Sequence, residues 1–193
     1  MNTATLRHAF KEWAIVCKAL AEEKQALILR KGGIAESGGE FRPEHERFWL
    51  YPTYMHEHEN GIKPDFLPWL REVEQDRPPA NRLRLTHFAS VAEVFRIDRL
   101  EQAETLDDMH IWSADTVRSR FHYRQPGLYV LSVRVYRVPS PFVLMETAAY
   151  AGCKSWVELD DELPTGEATP VLGDANFVAT CEEIRQRLLN PRK

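Results

Sequence analysis

Apolar residues near the N-terminus recur at steps of three and four, a spacing that predicts an amphipathic helix. The apolar face of this helix would comprise Leu6, Phe10, Trp13, Cys17 and Leu20. The same spacing recurs near the C-terminus, where Asp174 is a suitable N-cap for a second helix. The apolar face of the second helix would comprise Phe177, Cys181, Ile184 and Leu188. The sequence therefore predicts a helix near each end of the chain.

Shorter apolar runs between the two helices predict strands at residues 26–29, 48–54, 82–88, 91–97 and 127–138. The last run is the clearest, because Tyr129, Leu131 and Val133 fall on one face of an extended chain. Pro52 lacks a backbone N–H, so its strand is predicted to lie at an edge or to carry a bulge. Further helices are predicted at residues 65–75, at residues 100–106 and after Ser113, which suits an N-cap.

The order of these elements indicates a fold class. Strands do not alternate regularly with helices, which favours an α+β fold over a doubly wound one. We expect a mixed or largely antiparallel sheet flanked by an N-terminal and a C-terminal amphipathic helix. Residues 1–193 are predicted to form a single compact domain, and residues 76–81, which include Pro78 and Pro79, mark where a subdivision would fall.

Composition excludes several classes of protein. The 193 residues are 44% hydrophobic, which rules out a chain that is disordered throughout. The net charge of −4 is too small to indicate a nucleic-acid or membrane partner by itself. Apolar runs stay far below the roughly 18 residues of a spanning helix, so no membrane association is expected. Cys17, Cys153 and Cys181 form no Cys-x-x-Cys motif and fit a reducing compartment. We expect a cytoplasmic protein.

Several motifs resemble an uncharacterised bacterial family, the domain of unknown function numbered 1802. The motifs are FKEWA at residues 10–14, LRKGGIAE at 29–36, FWLYPTY at 48–54, HIWS at 110–113, RFHYR at 120–124 and GCKSWVEL at 152–159. The resemblance covers nearly the whole chain. It implies no activity, since none is assigned to that family.

The front half also resembles that of Nudix hydrolases, in which an apolar strand ending in basic residues is followed by an aromatic-Pro strand and a helix. In that family clustered carboxylates hold divalent metals on a diphosphate. This chain offers Arg71, Glu72 and Glu74 but places Lys63 where an upstream glutamate should fall. The layout therefore implies a metal-dependent hydrolase of a phosphate ester or anhydride only as an alternative, with a divalent metal as its cofactor.

A basic and aromatic segment carries the leading functional hypothesis. The segment between residues 113 and 139 contains several arginines but a single acidic residue, Asp115, and aromatic residues are interspersed among the arginines. Guanidinium groups match phosphate and stack on bases, so the segment suits a nucleotide or a nucleic acid. The predicted phosphate-binding residues are Lys31, Arg118, Arg120, Arg124, Arg134 and Lys154. A solvated helix face with arginines paired to distant acids explains the pattern equally well.

Three smaller groups of residues suggest chemistry. His56 and His58 would share a face of an extended strand and could ligate a metal, although solvated polar residues explain them more simply. Cys153 lies beside Lys154, which would lower a thiol pKa, and His110 or His122 is a candidate base for it. Trp112 is the tryptophan most suited to line a pocket. The sequence leaves three alternatives open: a nucleotide-binding or nucleic-acid-binding protein, a hydrolase, and a non-catalytic protein-interaction module.

Overall fold

The structure, a computed structural model, describes residues 4–31, 36–37, 40–41, 44–54, 59–152 and 154–190. Its strands are β1 (Thr5–Trp13), β2 (Leu27–Arg30), β3 (Glu36–Ser37), β4 (Glu40–Phe41), β5 (Arg47–Thr53), β6 (Arg82–Ile97), β7 (Leu128–Met145), β8 (Trp156–Pro164) and β9 (Thr169–Pro170). Its α-helices are α1 (Ala14–Ala21), α2 (Leu67–Gln75), α3 (Leu100–Glu104), α4 (Ala114–His122) and α5 (Asp174–Leu189). Four 3-10 turns span Glu59–Gly61, Pro64–Phe66, Asp107–Met109 and Ala148–Tyr150.

Seven strands form one mixed sheet. The hydrogen-bonded order is β2-β7-β6-β5-β1-β8, and β9 pairs with β7 beside this path. β1 and β5 are parallel, whereas the other pairs in this sheet are antiparallel. β3 and β4 form a separate two-stranded sheet. The α+β fold with a mixed sheet is therefore confirmed.

The large sheet curls until strands from its two ends meet. Arg30 is the last residue of β2, at one end of the strand order. Its guanidinium donates a 2.7 Å hydrogen bond to the Ser155 hydroxyl, which directly precedes β8 at the other end. The same guanidinium lies 3.4 Å from the Glu12 carboxylate on β1. Arg30 thus joins the two edges of the sheet.

The two faces of the sheet carry separate hydrophobic cores. The larger core packs α1, α4 and α5 against the sheet and includes Phe10, Ile15 and Ile184. The smaller core lies on the opposite face and includes Trp49 and Leu159. Because β1 is covered on both faces, the adjacent residues Ala9 and Phe10 are both fully buried.

The N-terminal helix prediction was wrong over its first half. Residues 5–13 form β1, and the helix begins only at Ala14. A strand buried on both faces does not alternate between apolar and polar residues, so β1 lacks the period that marks a half-buried strand. Pairing with β5 and β8 satisfies its backbone and overrides the local helical spacing.

The other predicted elements differ mainly in their bounds. The two strands predicted at residues 82–97 are one strand, β6, with irregularities between Leu85 and His87 and between Val91 and Glu93. α5 begins at Asp174 with Gly173 as its N-cap, and its predicted apolar stripe is buried. β5 lies inside the sheet, but its pairing with β6 ends at Trp49, before Pro52. None of the helices in the described part of the chain is long and apolar enough to span a bilayer.

Candidate functional site

Helix α4 presents an arginine to the face of a buried tryptophan. Ser113 caps the helix as predicted, since its hydroxyl accepts a hydrogen bond from the Thr116 N–H at 3.3 Å. The bridge between Ile62 and Trp112 holds the chain just before the cap, and Trp112 is only 1% exposed. The Arg120 guanidinium carbon lies 3.7 Å from the Trp112 ring centre. Stacking on an indole is among the stronger cation–π arrangements.

A second tryptophan completes the aromatic wall. Trp13, at the end of β1, meets Trp112 edge-on with ring centres 4.8 Å apart and lies 5.6 Å from the Arg120 guanidinium. Gly61 lets the Trp13 ring lie close to the backbone, because a Cβ on residue 61 would be only 3.1 Å from that ring. Two indole rings therefore lie against the Arg120 guanidinium.

The Arg120 side chain makes no hydrogen bond and no ion pair with any other residue that the structure describes. Its side chain is half-buried. Burial lowers the pKa of Arg120, nearby Glu12 raises it, and Arg30 lowers it. An arginine stays charged at neutral pH despite such shifts. Its N–H donors are thus available to an external acceptor.

Glu12 is a buried carboxylate at the same place. It is 2% exposed, and its Oε1 accepts a 2.9 Å hydrogen bond from the Trp13 backbone N–H. Its Oε2 lies 3.4 Å from Arg30 Nη1. The Arg30 guanidinium also lies over the Phe10 ring at 4.6 Å. We call Glu12, Trp13, Arg30, Trp112 and Arg120 the Arg120 site, which holds two guanidinium groups against one carboxylate.

Lys31 supports this site from the end of α4. Its ammonium donates to the backbone carbonyls of Phe121, Gln125 and Gly127, at 2.8 Å for the first and the last. An ammonium has three N–H donors, so all three are used. Burial lowers the pKa of Lys31. Lys31 therefore fixes the turn after α4 and adds positive charge beside the Arg120 site.

The other predicted phosphate-binding residues do not converge on this site. Arg118 pairs with Asp115 at 3.5 Å and with Glu104 at 3.8 Å. Arg124 is exposed beside the Tyr123 ring. Arg134 and Lys154 are held elsewhere, since Arg134 pairs with Asp174 and Lys154 donates to the Ala149 carbonyl.

Of the predicted catalytic and metal-binding residues, His110 is the one that lies within the described part of the chain. His110 is 3% exposed, and neither ring nitrogen has a partner among the described residues. Burial, reinforced by Lys63, lowers the pKa of His110 to about 4, so the ring is neutral at physiological pH. Cys153, His56 and His58 lie outside the described residues. Within the described part of the chain, no three His, Cys, Asp or Glu side chains come together as a metal site.

Sequence reasoning missed Glu12, Trp13 and Arg30 as site residues. The first two were placed in a helix that begins only at Ala14. Arg30 contacts Ser155, 125 positions later, and no local pattern encodes that contact. A signal did exist, because Arg30 directly precedes the predicted Lys31 and Trp112 was singled out as a pocket residue.

Comparisons with known proteins give one family match. Residues 9–183 match the family described as Domain of unknown function (DUF1802). No curated protein matches the chain. Among solved structures, the ASCH protein of Zymomonas mobilis is 14% identical with a TM-score of 0.43, covering 96% of this chain and 95% of that one. A point mutant of ZmASCH is 12% identical with a TM-score of 0.44, covering 96% and 98%.

Proposed function

Since the chain belongs to the DUF1802 family, a domain family of unknown function, we propose its function from its geometry: it binds a nucleotide or a nucleic acid at the Arg120 site. The observation that carries the proposal is the Arg120 guanidinium, which has no hydrogen-bond or ion-pair partner among the described residues and lies over the Trp112 ring. A guanidinium with its plane fixed can offer two parallel N–H donors to one phosphate.

The charge balance of the site supports an anionic ligand. Arg30 and Arg120 carry two positive charges against the single negative charge of Glu12, and Lys31 lies beside them. A partly desolvated site strengthens electrostatic attraction relative to open solvent. The net positive charge therefore favours a phosphate group over a neutral ligand.

The aromatic setting supports a ligand that also carries a base. Arginine planes stack on nucleobases as they do on indoles. Trp112 covers one face of the Arg120 guanidinium, and a base on the other face would complete a three-layer stack. In this proposal exposed Arg118 and Arg124 add only long-range attraction, and Arg134 and Lys154 take no part because Asp174 and Ala149 hold them.

Fluorescence anisotropy tests the proposal with labelled single-stranded DNA, single-stranded RNA, duplex DNA and a labelled mononucleotide across a salt series. The variants are Arg120→Gln and, as a matched control on the same helix, Arg118→Gln. Loss of hydrogen bonds between charged groups should cost about 10-fold or more in Kd for Arg120→Gln. Arg118→Gln should cost no more than about 3-fold, as an exposed charge does.

Binding to at least one probe that weakens as salt rises is expected, because phosphate neutralisation releases counterions. Two results would overturn the proposal. One is no binding of any probe at low salt. The other is an equal loss in the two variants, which would show that only general charge matters and that the stacked geometry does not.

A further inference from the structure

A small pocket opens where two neighbouring strands stop pairing. β5 and β6 pair from Arg47 with Ser90 to Trp49 with Phe88, and the pairing ends there although both strands continue. A cavity of about 200 Å³ lies in this gap. Helices α1 and α2 supply its other walls. No residue of the Arg120 site lines it.

The pocket has an apolar part and a charged rim, and four of the five charged side chains at the rim form ion pairs, whereas Glu22 has no ion pair with a described residue. Ala14, Leu50 and Pro52 line the apolar part. At the rim, Lys18 pairs with Glu72 at 3.1 Å and Arg84 pairs with Asp76 at 2.5 Å. Because these four charges are already paired, they do not call for a charged ligand.

The hydrogen bonds of His87 fix which of its nitrogens carries the proton. Arg137 Nε donates to His87 Nε2 at 3.2 Å, so Nε2 must be the unprotonated nitrogen. Burial, followed by the charge of Arg137, lowers the pKa of His87 to about 4, so the ring is neutral at physiological pH. A neutral ring without a proton on Nε2 carries its proton on Nδ1.

The tautomer of His87 determines what Thr86 can do. His87 Nδ1 lies 2.8 Å from Thr86 Oγ1, so the Nδ1–H donates and the hydroxyl oxygen accepts. The hydroxyl proton of Thr86 then has no acceptor among the described residues. Thr86 lines the pocket. The hydrogen-bonded side chains of Arg137, His87 and Thr86 therefore leave one donor, the Thr86 hydroxyl, at a pocket lined by both apolar and polar side chains.

We propose that this pocket binds a single planar ring that carries a carbonyl oxygen, with Thr86 donating a hydrogen bond to that oxygen. The size fits, since a cavity of roughly 150 Å³ accepts benzene and this one is slightly larger. Pyrimidine bases are the common biological molecules of this class, either free or as part of a nucleotide. The pocket is independent of the proposed function of the Arg120 site.

Two-dimensional amide NMR with uracil, uridine monophosphate and benzene as probes tests this proposal on the full chain. Uracil or the nucleotide should shift the amides of pocket residues such as Ala14 and Leu50, in a saturable way, and benzene should bind more weakly. Shifts by uracil identify a free base as sufficient, and shifts by the nucleotide alone identify an attached one. No saturable shift at the pocket with either probe up to its solubility limit would overturn the proposal.

Two variants separate the hydroxyl from the shape of the pocket. Thr86→Val keeps the volume and removes the donor, so the affinity should fall roughly 2- to 12-fold. Thr86→Ser keeps the donor and should retain most of the affinity. Equal affinity of Thr86→Val and wild type would overturn the assignment. The imidazole ¹⁵N shifts of His87 give an independent test: protonation on Nδ1 is expected, and protonation on Nε2 would contradict the proposal even if a variant fails to fold.

Discussion

The Arg120 guanidinium carbon lies over the Trp112 ring, 3.7 Å from the ring centre, and Trp112 is buried while Arg120 reaches the surface. The indole fixes the orientation of the cation before any ligand arrives. A positioned side chain loses less conformational entropy on binding than a free one. We therefore expect ligand binding to depend on the planar shape of the Arg120 guanidinium as well as on its charge.

Replacing Arg120 with lysine separates charge from geometry. Arg120→Lys keeps the positive charge but loses the planar fork and its stacking on Trp112. We expect phosphate ligands to bind about 10-fold more weakly, as measured by anisotropy at fixed salt. Arg118→Lys, at an exposed position of the same helix, should leave Kd unchanged. If Arg120→Lys bound as tightly as wild type, the site would act through its positive charge alone.

Removing the buried carboxylate should have opposite effects on binding and stability. Glu12→Gln leaves Arg30 and Arg120 without the negative charge that offsets them. At low salt the affinity for a phosphate ligand should rise several-fold, while the free energy of unfolding falls by roughly 3 kcal/mol. Anisotropy and urea denaturation measure the two quantities. A weaker affinity together with unchanged stability would contradict the charge balance described for the site.

Lys31 should stabilise the fold through the three carbonyls it binds. Lys31→Met keeps most of the aliphatic stem and leaves the carbonyls of Phe121, Gln125 and Gly127 without this donor. The expected loss in the free energy of unfolding is about 1–3 kcal/mol. Lys24→Met, at an exposed position, is the control and should change stability by less than about 0.5 kcal/mol. Equal stability of the two variants would show that the three contacts contribute little.

Acid should destabilise the protein through His110. Its pKa is about 4 in the folded state and near 6.5 when exposed, so between these values the unfolded chain binds the extra proton. The free energy of unfolding should therefore fall as pH drops from 6.5 to 4, by up to roughly 3 kcal/mol from this residue. Urea denaturation of wild type and His110→Phe across this range measures the effect. The variant should show a shallower pH dependence, and identical slopes would rule out the contribution.

The fold class was predictable because several helices and strands have clear local sequence patterns. Spacing predicts the apolar stripe that ends at Leu188, and capping chemistry predicts the Ser113 N-cap, and both are confirmed. The N-terminal error arose because β1 is covered on both faces, so adjacent Ala9 and Phe10 are apolar for tertiary reasons. The elements with a solvent face were thus the easier ones.

The candidate site was only partly predictable for a related reason. The composition of the basic segment alone predicts Arg120 as a binding residue. Which arginine remains unpaired depends on partners far along the chain, such as Asp174 for Arg134, 40 positions away. The pairing of Arg30 with Ser155 depends in the same way on how the sheet curls. One-dimensional patterns carry no information about such long-range pairs.

The strand order has a consequence for how the protein is made. β1 begins at Thr5, yet one of its partners is β8, whose last paired residue is Pro164. A ribosome adding about 5–20 residues per second needs on the order of ten to thirty seconds between these two points. Throughout that interval β1 lacks its β8 neighbour, and Arg30 lacks its hydrogen-bond partner Ser155. The sheet can therefore close only after residues 155–164 have left the exit tunnel.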